Sequence, residues 1–472
     1  MKKKNLFQRI SSSFSSFFRS IRNGFTGFAN RFVLGDIKTK LSYVIMGFGC
    51  LARKQIGRGL LFLGSEVIFI LYMITNGVFY LSKLPTLGTT TQGEVWNPEL
   101  QIYEITQGDN SMLLLLFGVT TICIIIGFFI LYIWNTKMAY EMQLLEEKGK
   151  PLPTFKQDIK DLGNKNFHIT VLSLPIALTF AFTILPLIFM ILMAFTNFDK
   201  NHQPPGNLFT WVGFRNFSEV LISNPMWQQT FIQLLIWTLV WAFFATFLNY
   251  VLGMILAIII NKKGIRFKKM WRTIFIITIA IPQFVSLMLM SKILADQGAL
   301  NNLMVALGWI TNAERIKFLT DGNLAKIVVI VVNLWVGIPY TMLITSGILM
   351  NIPQDLYEAS KLDGASPMQQ FMHITLPYML HVTTPYLITQ FVGNINNFNV
   401  IYLLTAGDPK SLNLFQAGET DLLVTWLYKL TVNEQNYALA STIGIIIFVL
   451  LATISLLTYN KSNAVQEEDT FA

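Results

Sequence analysis

The residues with the most distinctive chemistry in this sequence are carboxamides set inside long apolar runs. Gln390, Asn394 and Asn397 follow one another at four- and three-residue steps, which puts them on one face of a helix. In a separate run Asn333 and Gly337 stand four apart, with Trp335, Tyr340 and Leu343 close by. An amide both donates and accepts hydrogen bonds, so such a face suits a neutral polyol, whose hydroxyls do the same and whose rings stack on aromatics. The same side chains could instead pair helix with helix, since Asn394, Asn396, Asn397 and Asn399 are costly to leave facing lipid. From the residues alone, the two explanations weigh equally.

Other chemistry is hard to find. There is no GxxxxGK[ST] phosphate loop, no HExxH and no GxSxG, and four His with two Cys leave little for a metal. Cys50 and Cys123 give no disulfide framework. Glu358 and Asp363 could be paired as carboxylates, but they lie in a loop with no partner base. The chain is therefore expected to be non-catalytic and to bind no cofactor or metal itself. If ATP drives its work, another chain must hold the nucleotide.

These amides must be positioned by elements suited to lipid. Of the 472 residues 53% are apolar and 13% charged, against about 25% charged in an ordinary soluble protein. Eight segments are long enough to cross a bilayer: 59–81, 112–134, 169–195, 231–260, 271–290, 327–350, 383–404 and 437–459. Backbone groups cannot stay unpaired in hydrocarbon, so these are expected to be helices, and runs this long exclude a strand barrel. The fold expected is an all-α polytopic membrane protein with eight transmembrane helices.

Basic residues give the direction. With the amino end inside, inner segments hold 26 of the 35 Lys and Arg and outer ones 8, so both termini are expected in the cytoplasm. The excess of basic groups is thus read as membrane topology, with no nucleic acid implied. The first 40 residues contain no signal-peptide core. Phe14, Phe17, Phe18, Phe25 and Phe28, interleaved with Arg19, Arg22 and Arg31, could form a helix on the inner leaflet, a loose tail or a small packing element. The polar stretch after 460 is expected to be loose.

A proton-driven carrier usually carries acids deep in its bundle, yet the last five spans hold no Asp or Glu in their interiors. Glu66 is the one acid well inside a span, and is read as a contact to a neighbouring segment. A sodium-coupled carrier is a weaker alternative, because Pro175, Pro186, Pro282, Pro339 and Pro385 could break helices as such carriers do, or simply kink them.

The inner segment 351–377 reads NIPQDLYEASKLDGASPMQQFMHITLP. Pro353 suits a first helical turn, Gly364 ends that helix, Ser366 and Pro367 start a second, and Pro377 is expected to separate it from the next span. Met368, Phe371 and Met372 make an apolar knob that asks for a partner.

Here a resemblance enters. EAS followed by KLD, Gly364, nine residues and Ile374-Thr375-Leu376-Pro377 resembles the EAA loop of binding-protein-dependent ABC importer permeases, with Ser360 in place of the second Ala. The text NLWVGIPYTMLITSGILMNIPQDLYEASKLDGA, with NINNFNVIYLLTAGDP and TDLLVTWLYKL, is similar to the MalF-type maltose/maltodextrin permeases. The likeness is strong over 169–459 and looser before it. The large extracytoplasmic domain that one form carries between spans three and four is missing, since 196–230 is a short loop.

The resemblance implies a MetI/MalF-like six-helix permease core at 169–459, preceded by a basic segment (1–58), two additional spans (59–134) and a cytoplasmic linker (135–168), and followed by a tail (460–472). It implies that Glu358, Ala359, Ser360, Asp363, Gly364, Ile374, Leu376 and Pro377 dock on an ATPase. It implies that Asn333, Gly337, Asn394 and Asn397 line a sugar path; Leu343 and Gln390 are read into the same path from their places beside these residues, although Gln390 stands where the family has a smaller hydroxyl residue and Ile279 where it has a Tyr. Implied partners are a MalG-like second permease, two MalK-like ATPase subunits using Mg-ATP, an extracytoplasmic maltose/maltodextrin-binding protein, the sugar and membrane lipids, in a bacterial plasma membrane.

The charge bias makes a direct prediction. With Cys50 and Cys123 replaced, single cysteines at Lys200 and Lys410 should react with a membrane-impermeant thiol reagent in intact cells, and those at Lys148 and Lys268 should not. The reverse labelling would overturn the topology.

Overall fold

The computed structural model describes residues 6–262 and 264–461. The chain divides into two compact units, residues up to Leu192 with His202–Trp211, and Met193–Asn201 with the residues from Val212 onward. The first of the expected core helices is thus counted, by its packing, with the amino-terminal unit.

The first unit contains α1 (Leu6–Val33), α2 (Ile56–Lys83), a hairpin of β1 (Gly93–Asn97) and β2 (Ile102–Thr106), α3 (Ser111–Glu147) and α4 (Phe167–Met193). The antiparallel hairpin is a departure from an all-helical chain, with Trp96 directly opposite Tyr103. Asn110 starts α3 by accepting from the N–H groups of Met112 and Leu113, both at 3.1 Å. The helix then runs past its apolar stretch to Glu147, so the beginning of the expected linker is a continuation of the span.

That continuation is polar for a reason. The Asn135 amide donates to the Ser42 carbonyl and accepts from the Gly47 N–H, each at 2.9 Å. Arg53, whose side chain is fully buried, reaches Asp36 at 2.7 Å and Glu146 at 2.9 Å. Hydrogen bonds from Lys38 and Arg53 hold the Glu146 carboxyl below the usual glutamate range. Glu66 accepts from the Met46 N–H at 2.8 Å, so this intramembrane acid closes a backbone group of a neighbouring segment. The last turns of α1 pack here too, with Phe28 and Phe32 about 5 Å from Tyr43, which makes that end a packing element. The side chains of Phe14, Phe17 and Phe18 and the tail from 462 on lie outside the described residues.

The second unit holds α5 (Pro225–Asn261), α6 (Lys268–Ala280), α7 (Gln283–Ile293), α8 (Gly322–Leu349), α9 (Gln354–Leu362), α10 (Leu376–Ile395), α11 (Phe398–Leu404), α12 (Leu423–Val432) and α13 (Tyr437–Lys461). Among the described residues six helices, α2, α3, α4, α5, α8 and α13, are long and apolar enough to cross a membrane, and α6 with α7 supply a seventh if that pair, bent by 88° at Pro282, is one span. The expected count of eight is not reached on this measure. The stretch 383–404 is two helices, because the Asn397 side chain turns back to accept from the Val400 N–H at 3.3 Å and caps α11. Pro175, Pro339 and Pro385 sit inside continuous helices.

Large aromatics fill the core of this unit. Trp227, Trp241 and Trp426 are buried, and the indole N–H groups of Trp237, Trp241 and Trp426 donate to the carbonyls of Thr420, Asn394 and Phe415 at 3.0–3.1 Å. The loop between α11 and α12 is pinned by Asp421, which is completely buried. Its carboxylate accepts from Lys429 at 2.6 Å and from the Gly418 N–H at 2.7 Å. Burial pushes this carboxyl up in pKa, against the pull of Lys429. Gly407 has φ +85°, and a Cβ there would meet the free oxygen of Asp421 at 2.0 Å.

Lys429→Met should leave that carboxylate buried without its partner, at a cost of about 3–5 kcal/mol. A marked loss of thermal stability in detergent is expected, with recovery in the Asp421→Leu/Lys429→Met double variant. Unchanged melting of the single variant would contradict the role of the pair.

Candidate functional site

Three helices and one helix start meet around a cavity of about 170 Å³. From α8 come Asn333, Gly337, Tyr340 and Thr341, from α10 come Tyr386, Gln390 and Asn394, and Asn397 lies just beyond the end of α10. α5 contributes Thr246, Asn249 and Tyr250, and Gln283 opens α7 beside them. The two sets of amides singled out from the sequence therefore share one cavity. Leu343 does not line it and is 44% exposed. Six residues beyond Gly337 is about 600° of helical rotation, which carries that side chain to the far side of α8.

The wall is partly spoken for. The Asn394 amide donates across to the Thr246 hydroxyl at 2.9 Å, its carbonyl accepts from Trp241, and its side-chain oxygen accepts from Asn397 at 3.3 Å. Interhelical pairing is thus real for Asn394, and Asn397 doubles as a helix cap. By contrast, the amides of Asn333, Gln283 and Gln390 have no hydrogen-bond partner among the described residues. They face the cavity with donors and acceptors to spare. Tyr250 donates to or accepts from Thr383 at 2.8 Å, which fixes its ring beneath them.

Thr246, Asn249, Tyr250, Gln283 and Tyr386 were not singled out from the sequence. A polar residue in an apolar helix was the available signal for Asn249. A five-residue π turn, Phe244–Leu248, lies in α5 at this point, and Thr246, Asn249 and Tyr250 share a face at ordinary three- and four-residue steps.

A second constellation lies in 351–377. Pro353 precedes α9, Gly364 comes after it with φ +78°, and the Ser366–Gln369 capping box starts the short helix Pro367–Gln370. The arms are tied together by Gln370, which donates to the Ser360 hydroxyl at 2.8 Å, and by Tyr357 bonded to Thr375 at 2.8 Å. Ser360 therefore makes a bond that the Ala it replaces could not. Glu358, Ala359, Asp363, Gly364 and Pro377 are exposed, while Ile374 and Leu376 are half-buried. Leu362 is 90% and Met368 69% exposed, as is half of Met372, so the hairpin carries an uncovered apolar surface. Between it and the ends of α5 and α8 lies a cavity of about 580 Å³ reached by Asn261, Lys262, Tyr357 and Gln370.

One expectation fails here. Pro377 does not separate the hairpin from the next helix, because Pro367–Gln370 passes through a π turn, Phe371–Thr375, directly into α10. The π turn directly before Pro377 interrupts the regular i to i−4 ladder, so the missing proline N–H and its ring are accommodated there.

Residues 249–462 match the family described as binding-protein-dependent transport system inner membrane component. The galactooligosaccharides transport system permease protein GanP of Bacillus subtilis is 34% identical over 428 residues, covering 90% of this chain and 97% of that protein. The maltodextrin transport system permease protein MalC of Streptococcus pneumoniae is 34% identical over 440 residues, or 92% and 97%. The maltose/maltodextrin permease MalF of Escherichia coli is 34% identical over 265 residues, 55% of this chain and half of MalF. A bacterial ABC transporter involved in alginate import shares the fold, with a TM-score of 0.53 at 23% identity over 64% of this chain and 97% of its own. With a third of its residues shared along nearly the full length of such proteins, the chain belongs to the binding-protein-dependent family of inner membrane permeases.

Proposed function

We propose that this chain forms half of the transmembrane path of an ATP-driven importer of maltose or maltodextrin. The observation that carries the proposal is the meeting of Asn333, Gly337, Gln390, Asn394 and Asn397, from two distant segments, around one polar cavity. Neutral donors and acceptors with nearby tyrosines suit a polyol and offer nothing to fix a strong charge. A galactooligosaccharide is the second reading, since GanP is as similar as the maltodextrin permeases.

The path needs a second, MalG-like permease, two MalK-like ATPase subunits that bind the Mg-ATP, and an extracytoplasmic binding protein that delivers the sugar. This chain binds no nucleotide and breaks no bond. Both termini and the 351–377 hairpin lie on the cytoplasmic side, where Leu362, Met368 and Met372 offer the apolar surface for an ATPase. At about 170 Å³ the cavity is smaller than the roughly 300 Å³ at which ligand sites begin. The helices must part before an oligosaccharide can enter. The hairpin can do this mechanically: its second arm is continuous with α10, so a pull on the hairpin displaces the helix that carries Gln390 and Asn394.

Two experiments test the proposal in proteoliposomes containing all partners and ATP, with no proton or sodium gradient. Sugar uptake is expected there, and a strict gradient requirement would defeat it. Asn333→Ala and Gln390→Ala should each slow sugar transport, by about 0.5–1.5 kcal/mol for a hydrogen bond, while basal ATPase activity is kept. Wild-type transport of every sugar length by both variants would remove the cavity from the path.

Gly364→Pro should uncouple the assembly, since proline cannot adopt φ +78° and would lose the N–H that donates to the Lys361 carbonyl at 3.1 Å. Inserted protein with little sugar-stimulated ATPase activity is expected. Full coupling in a correctly inserted variant would exclude the hairpin as the docking element.

A further inference from the structure

We propose that Asn249 is a specificity-determining residue of this path, donating from its amide to a sugar hydroxyl from a third helix, through the space that Gly337 leaves open. The inference rests on the oligosaccharide reading above.

Between Gln233 and Asn261 the sequence of α5 is LLIWTLVWAFFATFLNYVLGMILAIII, in which Asn249 is the single carboxamide. A lone Asn there must be paired within the protein or serve a polar cavity. Asn249 lines the cavity, immediately after the Phe244–Leu248 π turn. Each residue of an α-helix turns the chain by about 100°, so the wider turn rotates the remainder of α5 away from the phase of a regular helix. Thr246, Asn249 and Tyr250 stand at three- and four-residue steps and share the cavity side.

Local bonds then orient the amide. Its oxygen lies 3.4 Å from the Thr341 hydroxyl, whose single proton is shared with the closer Gly337 carbonyl at 3.0 Å. Its nitrogen is turned toward Gly337, and a Cβ on residue 337 would stand 2.0 Å from it. Any larger residue at 337 would therefore displace the amide. No acceptor for this nitrogen is present among the described residues. An N–H2 group admitted by a glycine and left without an acceptor is available to something that enters the cavity. Sugar hydroxyl oxygens are such acceptors.

The consequence is directional. Asn333 and Gln390 approach from α8 and α10, whereas Asn249 approaches from α5. A third direction makes the site sensitive to the orientation of one ring hydroxyl, which uniform affinity for polyols would not require. A site built to bond a hydroxyl discriminates strongly against an analogue lacking it.

The test uses the complete reconstituted complex, the same binding protein held saturated, and a series of mono-deoxy maltose analogues beside maltose and a galactobiose. Asn249→Ala should slow maltose transport by about three- to tenfold, and should transport one deoxy analogue no worse than wild type does. Gly337→Ala should reproduce that loss, because its methyl displaces the amide, and the Asn249→Ala/Gly337→Ala double variant should be no slower than the slower single. Asn249→Ser, with a shorter donor, should lie between wild type and Asn249→Ala and decides the matter if the alanine variant fails to assemble. An unchanged rate in Asn249→Ala, an equal loss on every analogue, or additive losses in the double variant would each overturn the inference while leaving the oligosaccharide reading intact. A wild-type complex that moves neither sugar would overturn both.

Discussion

Hydrocarbon offers no hydrogen bonds, so every place where a helix in this chain stops or bends has to be closed by the protein itself. The chain does this largely with asparagine. Asn110 and Asn224 cap α3 and α5, Asn397 caps α11 after α10 has ended, and Asn135 satisfies both Ser42 and Gly47 at once. Asp321 performs the same service for α8. Where no cap is used, as at Phe244–Leu248 and Phe371–Thr375, the helix widens by one residue and keeps its backbone paired. The candidate path lies between these closures, and its geometry is inherited from them.

This has a consequence for how the cavity can change. Asn394 is bonded to Thr246 on α5, to Trp241 through its carbonyl and to Asn397 beyond the helix end. A sugar that took over the Asn394 amide would have to replace the Thr246 bond, so binding and the separation of α5 from α10 are linked. The unpartnered amides of Asn333 and Gln390 carry no such condition. In the proposed path they would receive the sugar first, with Asn394 joining as the helices part.

Much of this could be read from the residue string, for physical reasons that also mark where reading stops. Apolar length reveals most crossings because lipid demands it, and Ser366, Pro367 and Gly364 reveal the hairpin because their backbone preferences are local. The common face of Gln390, Asn394 and Asn397 comes from regular helical spacing within α10. What regular spacing cannot give is a change of phase. The π turn before α10 makes Pro377 look like a boundary, whereas Asn249 stands alone in its run with no second carboxamide to mark a face. Leu343 was drawn in by nearness in sequence to Gly337, although it lies on another side of α8. The stretch 383–404 reads as one span because hydropathy does not register that Asn397 can end a helix. The β1–β2 hairpin is short, and its pairing carries little apolar pattern to announce it.

The continuity found at Pro377 changes the mechanical picture. A hairpin attached to its span by a flexible joint would lose displacement at the joint, and coupling would then need additional contacts to carry it. Here Pro367–Gln370, the turn Phe371–Thr375 and α10 form one helical run. From Thr375 to Asn394 is about 29 Å at 1.5 Å per residue. Under the proposed coupling, movement of the exposed end would reach the cavity wall along this one run, with Tyr357 bonded to Thr375 and Gln370 to Ser360 keeping α9 attached to it. In that proposal two discrete arrangements of the run, one with Asn394 on Thr246 and one with the pair separated, would serve alternate opening. No contiguous network of other residues between the hairpin and the cavity is required.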